Sequence, residues 1–311
     1  MNKFVILTDI TCDLSPEIRE RFGLTDYVHG YVHFSDGRDL KGSLDWQTIS
    51  REEFYRALSN KHLKLSTAPA SPEEYYEKFA SYAREGIDVI CLLLSSKISS
   101  TYGVAEKAAE RVRAEFPERE IRCIDTRRMS GSLGLLTVYA CELQNSGKSM
   151  SEIVDWLESN KCRVHQMGPH DDLMFVARRG RISTGKAIMG SFAGVKPMGD
   201  CNDEGYVSVL SKVKGIKKAL DATVAYIQRM GTALEEQYIL ITHSNREEYA
   251  LQLAQKLKEA LPVRDVLVSD VYMTGGTNIG PGMICANFLG EPISAGCEKE
   301  RKALAAVIES L

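Results

Sequence analysis

The sequence predicts an α/β protein built from two α/β domains. Short β-branched or leucine-rich runs bounded by polar residues recur along the chain, and stretches with apolar residues at helical spacing lie between them. A period-two run, GYVSVLSKVKG at 205–215, falls only in the second half. The first pattern predicts a mostly parallel sheet flanked by helices in the N-terminal domain. The alternating run predicts a mixed sheet with helices in the C-terminal one. A chain of 311 residues also exceeds what one compact core usually holds.

In chain order, FVILTD (4–9), VICLLL (89–94) and IRCID (121–125) read as buried parallel strands. Ser71-Pro72-Glu73-Glu74 opens a helix: a capping serine, a proline at the first helical position, and a glutamate three residues after the serine to close a capping box. Tyr75, Phe79, Tyr82 and Ala83 then share one face. A second helix begins after Ser99 or Ser100, with Val104, Ala105, Ala108, Ala109 and Val112 on one side. A third covers Leu133 to Leu143 and stops at Ser146-Gly147, and another starts near Ser149 or Ser151. MGPHDD (167–172) interrupts the pattern and sets the expected boundary, giving domains 1–166 and 167–311. Beyond it come the strand at 205–215, a helix Lys217 to Met230, the strand YILITHS (238–244), a helix Glu247 to Ala260, and the strand VLVSDVYM (266–273).

Net charge is -3 and no Lys/Arg run exceeds a pair, so no footprint for nucleic acid is present. No run approaches the ~18 apolar residues of a membrane span. MNKFVILTD lacks a signal-peptide core, so a cytoplasmic location is expected. The eight cysteines contain no C-x-x-C pair and read as reduced, buried thiols.

TAPAS (67–71) and SSKISS (95–100) read as hydroxyl-bearing loops ahead of helices. Ser71 and Ser100 suit helix capping. Thr67, Ser96 and Ser99 precede their helix starts, beside the carboxyl ends of strands where open α/β sheets bind ligands, and are candidate ligand contacts. No G-x-S-x-G, G-x-x-x-x-G-K-[ST] or G-x-G-x-x-G motif occurs, and GGTNIGPG (275–282) reads as turn chemistry or close backbone approach. His29 and His33 lack a third ligand and read as structural rather than metal-binding. His243 suits a cleft wall or a turn, and Asp171 with Asp172 reads as a solvated loop pair. Arg178, Arg179 and Arg181 around Gly180 form a charge cluster whose guanidinium forks suit phosphate or carboxylate.

Several of these segments, taken together, resemble the DegV family, which includes the acyl-binding subunits of bacterial fatty acid kinase. They are VILTDITCDL (5–14), TAPASP (67–72), SSKISSTY (95–102), IDTRRMSGSLGLL (124–136), RRGRIS (178–183), GVKPMG (194–199) and VKGIKKAL (213–220). The resemblance covers essentially the whole chain. It implies a long-chain fatty acid held between the two domains, with its carboxylate bound by Thr67 and Ser99 and with Ser96 as a secondary contact. Asn278 stands where the family commonly has a histidine contact, and Lys214 where it has an arginine. Lys214 and Arg181 become candidates for head-group or partner contact. The implied function is a carrier rather than an enzyme, with no cofactor or metal, presenting the acyl group to a separate kinase subunit that supplies nucleotide and metal. The alternatives are a carrier of another amphiphile or small acid, or a phosphotransferase or hydrolase acting alone.

Overall fold

A computed structural model describes residues 3–182 and 194–311. The architecture is α/β, with a parallel and a mixed sheet as expected. Phe4–Thr8, Asp88–Leu93 and Ile121–Asp125 form a three-stranded parallel sheet with Asp88–Leu93 in the centre. Every residue of that central strand is buried, because helices cover both faces. The mixed sheet has four strands in the order Asp265–Asp270, Tyr238–His243, Ile284–Leu289, Val164–Met167, and only its first pair is parallel.

The helix Gly131–Asn145 joins the two sheets. Its residues from Gly131 to Cys141 are all buried, as a helix apolar on every side must be. Gly134 permits the contact, since a Cβ there would lie 2.4 Å from the Cys12 carbonyl and 3.0 Å from Leu14 and Leu240. One apolar cluster therefore runs from Ile90 and Leu92 of the first sheet through Leu133 and Leu136 to Leu240 of the second. The capping box at Ser71 and Glu74 forms as read from the sequence, and Ser149 with Glu152 makes a second one.

Two further sheets complete the fold; the first was not expected from the sequence, and the second carries the expected strand at 205–215 in a hairpin apart from the mixed sheet. Gly30–Phe34 lies between Asp39–Lys41 and Leu65–Pro69 in an antiparallel sheet, and Val195–Cys201 pairs with Val207–Lys214 as a hairpin. Thr67 thus sits on a strand rather than in the loop expected for TAPAS, directly across from Val32. The strand expected to end at 273 ends at Asp270, and Met273–Ile279 is a helix. The glycine-dense segment supplies part of that helix and the close approach after it. Gly280 has φ +80°, and a Cβ there would strike the Phe175 ring at 2.7 Å.

Candidate functional site

The carboxyl ends of Phe4–Thr8 and Asp88–Leu93, the strand Leu65–Pro69, the helix Met273–Ile279 and the hairpin surround a cavity of about 1330 Å³, including its open mouth. Ile10, Leu94, Ile98, Met129, Ile279 and Met283 contribute to a largely apolar wall. Thr67, Ser99, Asn278 and Arg181 all line it.

Asn278 is carried by the helix Met273–Ile279, and its Nδ2 donates to Thr67 Oγ1 at 3.1 Å and to Thr274 O at 3.4 Å. Thr67 Oγ1 accepts this bond, and its own proton has no acceptor among the described residues, so it is available to donate toward the cavity. Ser99 follows the central strand Asp88–Leu93. Its Oγ accepts from the Thr101 backbone N–H at 3.2 Å and lies 2.7 Å from Thr101 Oγ1. Ser99 therefore covers the first turn of the helix Thr101–Glu115, whereas Ser100, the expected cap, makes no capping side-chain bond. Arg181 Nε donates to the Ile98 carbonyl at 3.3 Å, which ties the arginine cluster to the Ser99 segment. Among the described residues no carboxylate pairs with Arg181. Ser183, the last residue of the ARRGRIS motif, lies outside the described residues.

Ser96 and Lys214 are not brought to this place. Ser96 is exposed and its hydroxyl donates to Asp125 Oδ2 at 2.6 Å, outside the cavity lining. Lys214 is exposed at the end of the hairpin strand Val207–Lys214 and is likewise outside the lining.

Asp9, Asp13, His29 and His170 stand in the wall beside Arg181. Asp9 accepts from Thr11 N at 2.8 Å and Leu94 N at 2.7 Å, and burial outweighs these bonds to raise its pKa. Asp13 accepts from Ser130 Oγ at 2.6 Å and from Tyr272 N at 3.0 Å. Burial, with Asp9 and Asp270 nearby, pushes it up to about 8. His170 Nε2 faces the Ile279 carbonyl at 2.9 Å while Nδ1 accepts from Asp172 N at 3.0 Å. Burial lowers this histidine to about 4, so it is neutral with its proton on Nε2.

Asp171 and Asp172 are not a solvated pair. Asp171 bridges Lys196 and Arg246, and Asp172 caps the helix Leu173–Arg178 through Met174 N at 2.9 Å. His29 Nδ1 bonds the Gly42 carbonyl at 2.7 Å, and His33 pairs with Asp39 at 2.7 Å. His243 sits 3.5 Å from Asp270 and receives a bond from Arg246 N. Among the described residues no group of three or more His, Cys, Asp or Glu is placed to hold a metal, and no helix is long and apolar enough to cross a membrane. Gln166, in the strand Val164–Met167, also lines the cavity. Nothing in its local sequence flags it, because VHQM carries no motif and no clear alternation.

A family model described as "Uncharacterised protein, DegV family" matches residues 3–290. A DegV domain-containing protein of Clostridium perfringens is 32% identical over 291 residues, covering 94% of this chain and 99% of the relative. A DegV family protein from Thermus thermophilus, whose solved structure is described in terms of fatty acid binding, is 26% identical. It superimposes with a TM-score of 0.82 over 93% of this chain and all of that one. DegV of Bacillus subtilis, described as a fatty acid binding protein, shares the fold at 22% identity and a TM-score of 0.78 over 94% of this chain and 100% of that one. A family model spanning nearly the whole chain, together with a relative aligned along nearly its full length, establishes that the chain belongs to the DegV family.

Proposed function

We propose that the cavity binds a long-chain fatty acid, with the carboxylate held by Thr67 and Ser99 and the acyl chain buried along the apolar wall. The observation that carries this reading is the Thr67 hydroxyl, which accepts from Asn278 while its own proton has no acceptor among the described residues, so that it can donate into a largely apolar cavity. Burying a chain of ordinary length at ~0.8 kcal/mol per methylene contributes on the order of 10 kcal/mol. Each carboxylate hydrogen bond adds about 1.5–3 kcal/mol. The tail supplies affinity and the hydroxyls supply position. In this division residues 1–166 contribute Thr67 and Ser99, while residues 167–311 contribute Arg181, Asn278 and the hairpin wall.

The protein then acts as a carrier that presents the head group to a separate fatty acid kinase subunit for acyl-phosphate formation, in the cytoplasm where that kinase finds its nucleotide. Neutral donors hold a carboxylate without enclosing it in an ion pair, which leaves an oxygen open to phosphorylation. Arg181, close to the Ser99 segment and without a carboxylate partner among the described residues, suits the added negative charge of the acyl phosphate. His170, the buried histidine of the wall, has both ring nitrogens engaged and offers no base to the hydroxyls.

Mass spectrometry of ligand extracted from natively purified protein tests the reading. A long-chain fatty acid is expected, and recovery of a non-lipid acid overturns it. Incubation of the protein alone with ATP, magnesium and that fatty acid should yield no acyl phosphate; product formed without a partner sinks the carrier role.

A further inference from the structure

Gln166, Gly168 and His170 alternate along one extended segment and all line the cavity. Two of the three are accounted for. A Cβ on Gly168 would lie 2.0 Å from the Ile284 carbonyl, so that position is set by backbone contact. His170 spends both ring nitrogens on Ile279 and Asp172. Gln166 is only 6% exposed, and just one end of its carboxamide is engaged, by Ser132 Oγ at 2.8 Å. The other end has no partner among the described residues, and it opens into the cavity rather than being sealed in the core.

The Ser132 hydroxyl has one hydrogen and two acceptors within reach, Gln166 Oε1 and the Met129 carbonyl at 2.7 Å. Whichever it serves, one end of the Gln166 amide remains unmatched, as donor or as acceptor. A saturated hydrocarbon passing this wall would desolvate that end and return nothing. A hydroxyl, which donates and accepts, satisfies either orientation.

We propose that Gln166 is a second ligand contact, and that the acyl chain selected by this cavity carries a hydroxyl group along its length. The inference rests on the fatty-acid reading above and narrows it to hydroxylated fatty acids. It is tested by titrating the full-length protein with stearic acid and with hydroxystearic acids bearing the hydroxyl near the carboxylate, at mid-chain and near the methyl end. One positional isomer should bind roughly tenfold more tightly than stearic acid. Gln166→Leu should erase that preference while binding stearic acid at least as well. If no isomer exceeds stearic acid in the wild-type protein, the inference is overturned, and this comparison needs no variant to fold. A preference that survives in folded Gln166→Leu, or in Gln166→Met if the leucine variant is unstable, also overturns it. Binding of neither stearic nor hydroxystearic acid rejects the fatty-acid reading itself, and the inference with it.

Discussion

Thr67 and Asp13 both stand at the cavity wall, and each bonds one end of the same short segment. Asp13 accepts from Tyr272 N, just before the helix Met273–Ile279, and Thr67 accepts from Asn278 near its end. At the Asp13 end both carboxyl oxygens are matched inside the protein, by Tyr272 and Ser130, and the residue is fully buried. At the Thr67 end the bond uses the hydroxyl's acceptor role and leaves its proton unclaimed. A polar group that closes on its neighbours fixes structure; one left half-matched at a cavity wall is available to a ligand.

The largest expected effect separates the two ends by pH. Asp13 titrates near 8 in the folded protein, against the ordinary 3.8 of an aspartate. Between roughly pH 4 and 8 the folded chain keeps a proton that the unfolded chain has released, so stability falls as pH rises, by up to about 1.4 kcal/mol per unit, and levels off above 8. Asp13→Asn should flatten that decline in thermal or urea melts; an unchanged slope would place its origin elsewhere. At the other end, Thr67→Val should weaken fatty-acid binding about ten- to hundredfold. The melting temperature of the ligand-free protein should stay nearly constant.

Ser99→Ala should do both things at smaller scale. It removes a proposed carboxylate donor, and because Ser99 also serves Thr101 N it should cost about 1 kcal/mol of ligand-free stability. Finding no stability loss would return the capping role to Ser100. The smallest effect concerns Asn278, which cannot titrate. Asn278→His should make binding tighten a few-fold as pH drops below about 6.5, relative to the wild-type protein at each pH, because the imidazole then gains a charge beside the carboxylate.

Local signals in the sequence carry over into the structure. The Ser71–Glu74 capping box forms, the helix through Leu133 to Leu143 extends over Gly131–Asn145, and the parallel strands fall within a residue or two of their expected places. Periodicity and capping are properties of neighbours in sequence, and they survive folding. The strands Gly30–Phe34 and Leu65–Pro69 escaped notice because each is short and neither is a plain apolar run. Asp171 looked solvated because its partners, Lys196 and Arg246, are distant in sequence. Thr67 and Ser99 were legible as ligand contacts from their places ahead of helix starts, but their carboxylate role came only through the resemblance to DegV proteins. The placement of Ser96 on Asp125, the exposed position of Lys214 and the half-matched amide of Gln166 all depend on tertiary contacts that no local pattern encodes.

The hydrogen bond between Thr67 and Asn278 joins residues 211 positions apart. During synthesis the segment with Thr67 and Ser99 emerges long before the helix Met273–Ile279 exists, and domains generally begin to fold from the N-terminal side. Until that helix docks, the Thr67 hydroxyl has no amide to set its direction and the cavity lacks one wall. If the cavity binds as proposed, ligand capture is postponed to the last stage of folding, and a truncated or nascent chain would not withdraw ligand from the cell.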